Sequence, residues 1–429
     1  MIRIMKKSIF CLITTVLFSI LPSALVMAAS EVPPVYSEGA ILMDGITGEI
    51  LYSKNEHIKY EPASTTKVMT ALVVLENTNL SDKVTIGEKP PLVDGSAIGI
   101  QKGEVYTVEE LLIALLLDSA NDCAEALAEH VAGSNEGFSI LMNEKALELG
   151  ATNTTFKNPS GLHEEGHLTT AYDLALIMKE ASTNEEFIRI SQIYSHQFVN
   201  HPFSDGTEKW AVNRNQLFNE YTNYLYEYAY SGKNGYTPEA NHTYTASAVK
   251  DNQFLVAAFL NAEDKDNFYL NIGPLFDYGF ENFETIKIIN KGDKLTSFDI
   301  NDSESIDLLA CKDIYYTKTR ELKEVIPNLK YNSLLESVST REEINIGDLI
   351  TTATVNVDGK DIGTLDVESG SYYKKTTISN FFAFENLNLF AIVLWVFIIL
   401  IIFVIVSNII LYIKRRRLRK RYPRFHRKR

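Results

Sequence analysis

Cysteine is nearly missing from this chain: there are 3 in 429 residues, Cys11, Cys123 and Cys311. Cys11 lies in the N-terminal stretch read below as an export signal, which would leave two, and nothing in their spacing makes a disulfide scaffold. A chain this short of cross-links must be held by a buried core, and the stretch between its ends is long enough for two domains. Acidic residues are absent from both ends, 1–29 and 414–429. Those ends hold 14 of the 41 lysines and arginines, leaving 27 basic against 55 acidic residues between them. The stretch between therefore carries a net charge of −28, where the whole chain shows −14. Such an acidic surface repels nucleic acid and anionic lipid, and neither is expected as a partner. No long internal repeat is present.

What the ends do contain is informative. Arg3, Lys6 and Lys7 precede an apolar run over 9–21 and then Val26-Met27-Ala28-Ala29. This is the plan of a secretory signal, so 1–29 is expected to be a signal peptide, with an uncleaved anchor as the rival reading. Residues 389–413 contain no charged side chain. They supply the ~20 apolar residues that cross a bilayer, and a transmembrane helix is expected there. The basic block directly behind, 414–421, marks the cytoplasmic side. The expected protein is thus single-pass in a bacterial cell membrane, with its bulk outside, a linker over 377–388 and a cytoplasmic tail over 414–429. A nucleic-acid role for that tail is the rival reading.

Between the ends, the apolar runs 40–43 and 50–52 flank Asp44-Gly45-Ile46-Thr47-Gly48-Glu49, a hairpin pattern. Val68, Met69, Leu72 and Leu75 fall at helical spacing. Thr107 with Glu110 predicts a capping box opening an apolar helix. A second helix is expected over 124–131, ending at Gly133, and Thr170 reads as a further N-cap. Strands are expected over 244–249 and 254–260. The fold class is α+β: an antiparallel sheet sharing its core with a helical region over 31–283, then a separate β-rich module over 284–376.

Ser64-Thr65-Thr66-Lys67 follows Pro62 at the start of a helix. Residues three apart share a helix face, so the amine can reach the hydroxyl. A serine needs a neighbour to take its proton, and lysine serves if it is neutral. Burial, a second cation and a helix N-terminus all lower its pKa. The Ser64 N–H also suits a developing oxyanion. Ser-x-x-Lys recurs at 247–250 and 371–374, so the pattern alone is weak. Ser119-Ala120-Asn121 falls in the break between two helices. Lys233-Asn234-Gly235 lies just before an expected strand, and Lys-x-Gly occurs nowhere else. Singly, Ser119 reads as an N-cap and Lys233 as a turn residue; the ordered set reads as one cleft. His163 and His167, four apart, suggest a metal, but the glycines around them predict a loop where two ligands do not align. The aromatic-rich 221–230 stretch reads as a loop packed against Lys233-Asn234-Gly235, with a sugar-stacking surface as the alternative.

Pro62-Ala63-Ser64-Thr65-Thr66-Lys67-Val68-Met69 resembles the nucleophile segment of the D-alanyl-D-alanine carboxypeptidases, the low-molecular-mass penicillin-binding proteins. Asp118-Ser119-Ala120-Asn121-Asp122, Asn158-Pro159-Ser160-Gly161-Leu162, His167-Leu168-Thr169-Thr170-Ala171-Tyr172-Asp173, Asn213-Arg214-Asn215 and Ser231-Gly232-Lys233-Asn234-Gly235-Tyr236 follow in the family's order. The resemblance covers roughly residues 35–262 and implies a penicillin-binding, β-lactamase-like catalytic domain. It implies Ser64 as nucleophile, Lys67 as base, Ser119 as proton relay and Asn121 on the substrate backbone. Lys233, Asn234, Gly235 and Tyr236 would bind the terminal carboxylate and complete the oxyanion hole. Peptidoglycan stem peptides would be the substrates and β-lactams covalent inhibitors, with no metal or cofactor. One departure stands out: the third motif usually reads Lys-Thr-Gly, and position 234 is asparagine. A catalytically impaired relative that binds peptidoglycan or scaffolds wall enzymes is the alternative, as is a related endopeptidase or β-lactamase.

Overall fold

The computed structural model describes residues 31–301, 304–332, 338, 341–375 and 386–421. The expected signal peptide, most of the expected linker and the end of the tail lie outside them. The chain forms two compact units, one from the N-terminal side through Ile288 together with Tyr315–Ile326, the other from Ile289–Ile314 and the chain from Pro327 onward.

The first unit is built on an antiparallel five-stranded sheet. Its strands are β1 (Gly39–Asp44), β2 (Ile50–Lys54), β3 (Ala229–Thr237), β4 (Asn241–Lys250) and β5 (Gln253–Ala262). Their spatial order is β2-β1-β5-β4-β3, so β3 is an edge. Every residue of β1 is buried, because both sheet faces are covered. Ile41, Met43, Val256, Ala258 and Leu260 face the helical side. There they meet α1 (Lys67–Asn77), α2 (Val108–Leu117), α3 (Asn121–Ala132), α4 (Asn135–Glu148), α5 (Ala171–Ala181) and α6 (Glu185–Ser191). Ala40, Leu42, Leu255, Ala257 and Phe259 alternate to the other face, where α7 (Lys265–Asn282) packs.

The expected hairpin is β1–β2, and the Thr107 capping box is complete on both arms. Thr170 caps α5 by accepting from the Asp173 N–H. Gly133 ends α3 in the left-handed conformation at φ 76°. Two sequence-based expectations are corrected. Lys233-Asn234-Gly235 lies inside edge strand β3, not before a strand. The tyrosine-rich stretch packs mainly on α7: Tyr224 lies 5.4 Å from Tyr269, and Tyr226 stacks on Phe276 and donates to Asp277 at 2.8 Å.

The second unit holds another antiparallel five-stranded sheet, in the order Lys294–Asn301, Glu304–Ala310, Lys360–Ser369, Leu349–Val357 and Asn328–Tyr331. Its core includes Ile306, Leu308, Ala353 and Val367. A helix over Asn386–Arg421 follows, and Ala391–Arg417 is long and apolar enough to cross a membrane.

Candidate active site

Ser64 sits in a 3-10 turn, Ala63–Thr66, that runs directly into α1. Several hydroxyls clamp this segment. Thr65 Oγ1 and Thr243 Oγ1 both donate to the Pro62 carbonyl, at 2.6 and 2.8 Å. Thr70 Oγ1 donates to Pro159 O at 2.6 Å. Thr66 Oγ1 meets His167 Nε2 at 3.0 Å. His167 is buried, and burial lowers its pKa to about 4, so its ring is neutral. Two glycines are required by close approach. A Cβ on Gly235 would lie 2.7 Å from the Ser64 nitrogen, and one on Gly161, at φ 81°, would collide with the Ala63 carbonyl.

Lys67 is fully buried. Its Nζ lies 3.0 Å from Ser64 Oγ, 2.7 Å from Asn121 Oδ1 and 2.5 Å from the Ser160 carbonyl oxygen. Among the described residues no carboxylate bonds to it directly. Burial pushes its pKa far down, and the neighbouring charges of Lys233 and Arg214 push it further. Asn121 is held at both ends of its amide, since Nδ2 donates to Asp94 O at 2.7 Å.

Ser119 occupies the turn between α2 and α3 with φ 61°, a conformation unusual for a residue with a side chain. Its Oγ is buried and has no hydrogen-bond partner among the described residues. Lys233 is also buried; its Nζ donates to Asn234 O at 2.7 Å, and its pKa falls to about 7 through burial first and the Arg214 charge second. Ser64, Lys67 and Asn121 are in direct contact, Gly235 abuts Ser64, and Lys233 acts on Lys67 through its charge. Asn234 and Tyr236 line a cavity beside them.

Two contributors lie in segments quoted above only for their family order, with no role assigned to them. Ser160 acts through its carbonyl, and Arg214 donates to Asp118 at 2.7 Å and to Ser96 Oγ at 3.2 Å. The second and third Ser-x-x-Lys occurrences form no such pair. Ser247 is buried among Ser182 and Ser231, while Lys250 lies 4.6 Å from the Tyr228 ring centre, because residues three apart in a strand face opposite ways. His163 and His167 take different partners, His167 meeting Thr66. His163 pairs instead with Glu61 at 2.9 Å, and Glu239 lies with them, the three donor groups within 4.8 Å of one another. Among the described residues this is the group that could hold a metal ion.

A serine bonded to a buried lysine beneath an edge strand is an arrangement whose chemistry suits serine acyl transfer. Residues 26–264 match the family described as D-alanyl-D-alanine carboxypeptidase, and 283–375 match the penicillin-binding protein 5 C-terminal domain. The D-alanyl-D-alanine carboxypeptidase DacF of Bacillus subtilis is 35% identical over 293 residues, covering 64% of this chain and 73% of that protein. Penicillin-binding protein 5 from Haemophilus influenzae has a similar structure, with TM-score 0.67 and 25% identity over 79% of this chain and 98% of that one. The D-alanyl-D-alanine carboxypeptidase of Mycobacterium tuberculosis aligns with TM-score 0.54 and 32% identity over 59% of this chain and 94% of that one. The chain belongs to the D-alanyl-D-alanine carboxypeptidase family. It is a serine-type carboxypeptidase of cell-wall metabolism with the penicillin-binding, β-lactamase-like fold, and penicillins acylate the family.

Proposed function

We propose that Ser64 attacks the carbonyl between the two terminal D-alanines of a peptidoglycan stem peptide, with Lys67 as its base. One observation carries this reading: the three partners of Lys67 Nζ. Asn121 Oδ1 and Ser160 O can only accept, so they take the two N–H groups of a neutral amine. The remaining lone pair then faces the Ser64 hydroxyl, whose proton it accepts. Asn121 thereby orients the base, a different part from the substrate contact implied by resemblance. Backbone N–H groups of Ser64 and Tyr236 hold the oxyanion. Ser119 Oγ, unpartnered and buried, passes the proton to the leaving amine, and Lys233 faces the terminal carboxylate. Water then hydrolyses the ester and frees Ser64. No step calls for a metal or cofactor.

The catalytic domain, proposed over 31–283, and the β-rich domain over 284–376 lie outside the cell, with the Ala391–Arg417 helix as a membrane anchor and the basic tail inside. Fluorescent penicillin tests the core of this reading. The full chain in detergent takes up one covalent label, and Ser64→Ala takes up none. Undiminished labelling of Ser64→Ala removes Ser64 from the chemistry.

A further inference from the structure

A cavity of about 460 Å³ opens beside the third motif. That is within the ~300–1,000 Å³ of ordinary ligand pockets. Asn234, Gly235 and Tyr236 of β3 form one wall, and Gly235 also abuts Ser64, so the cavity borders the cleft across this strand. Arg214 forms another, and its charge acts on both Lys233 and Lys67. Through Asn234 and Arg214 the cavity lies next to Lys233, on the side where the departing residue lies in the proposed reaction.

Its size and lining do not match D-alanine alone. A terminal D-alanine brings one methyl group past its α-carbon, which leaves most of this volume unfilled. The far wall is aromatic: Tyr224 and Tyr269 have ring centres 5.4 Å apart, and Phe268 stacks nearby on Tyr244 with centres 5.0 Å apart. Rings at this spacing offer faces and edges to a third planar or long apolar group. Arg214, itself paired with Asp118, and Lys265 add positive charge for a carboxylate, with the Asp266 carboxylate on the same lining. At the mouth stands the Asn234 amide, which both donates and accepts, where the family motif has a hydroxyl.

We infer that this cavity is a leaving-group subsite for D-amino acids whose side chain extends well past Cβ, aromatic ones included. The inference rests on the acyl-transfer reading above. The step is the same: the Ser64 Oγ–carbonyl bond forms, the carbonyl–nitrogen bond breaks, and the serine proton ends on the departing amine. Water then supplies the hydroxyl of the released acid.

The test compares two peptides, diacetyl-L-lysyl-D-alanyl-D-alanine and the same peptide ending in D-phenylalanine. For the full chain, kcat/KM for the D-phenylalanine peptide should equal or exceed that for the D-alanine peptide. Gln216→Trp, which fills the cavity, and Tyr224→Ala, which strips one ring, should each lower the D-phenylalanine to D-alanine ratio by tenfold or more. Penicillin labelling of each variant reports an intact nucleophile. A D-phenylalanine peptide cleaved tenfold or more slowly than the D-alanine peptide overturns the subsite. A ratio that neither variant moves overturns it too, while penicillin labelling persists in both cases. Loss of labelling in the unmodified chain sinks the underlying reading, and the subsite with it.

Discussion

The two walls of the cleft are made differently. The nucleophile wall is tied down by the Pro62 carbonyl, which accepts two hydroxyls, by Thr66 against His167, and by Thr70 against Pro159. The β3 wall is an edge strand whose Tyr236 is 56% exposed and whose neighbour Asn234 borders a cavity. Chemistry needs fixed distances, and the first wall provides them. Selection among substrates needs room, which the second wall leaves. In this molecule rigidity and tolerance face each other across one serine.

The largest effect should come from disturbing the rigid wall. Gly161→Ala places a methyl group against the Ala63 carbonyl in a left-handed backbone. Shifting a nucleophile by about 1 Å costs ~100-fold, so penicillin acylation should fall at least that far. Thermal denaturation should register ~1–2 kcal/mol of backbone strain as well. Unchanged acylation would show that the wall yields without consequence.

Lys233→Met links the two walls. Lys233 disfavours the charged form of Lys67, so its removal raises the Lys67 pKa and moves the ascending limb of the acylation–pH profile to higher pH. In the unmodified chain acylation should also decline as Lys233 loses its proton at about 7, and that limb should vanish in the variant. The lost charge-assisted bond to substrate, ~1.5–3 kcal/mol, adds a roughly ten- to hundredfold drop in rate. Stopped-flow acylation across pH measures both. A profile that does not move separates the two lysines electrostatically.

The smallest effect belongs to the tolerant wall. Asn234→Thr should raise D-alanine release, by up to about tenfold, because a hydroxyl donates to the carboxylate with less bulk. If D-alanine release is absent from the unmodified chain and returns in this variant, the chain is a binder whose turnover was lost at position 234.

Much of this was legible in the residues themselves. The capping box and the Gly133 stop are local signals that the fold uses as they stand, and Ser64 and Lys67 meet as their spacing predicts. Strand β3 was obscured because Gly232, Asn234 and Gly235 are poor strand formers. They are there for other reasons: Gly232 lets the Asn215 amide approach and Gly235 admits the nucleophile turn. Helix α7 was hidden by Gly273, Pro274 and Gly279. Gly273 packs against Tyr226, and Gly279 against Leu255 and Leu42, so tertiary packing outweighs helix propensity there. The Ser160 carbonyl was beyond reach, since every residue has one and only the fold selects it.

The path of the chain beyond α7 has a practical consequence. Strand Ile314–Thr319 returns to pair with Phe283–Ile289, where Thr317 meets Thr47 at 2.5 Å and Arg320 Nε donates to Phe280 O at 2.9 Å. The polypeptide therefore passes from one unit to the other three times, near residues 288, 314 and 326. A protease that severs only the first passage leaves the downstream fragment hydrogen-bonded to the upstream one through this strand pair. Shortening the gene at the first passage, in turn, would strip Phe283–Ile289 of its partner strand. A soluble enzyme for the assays above should keep the chain through residue 375.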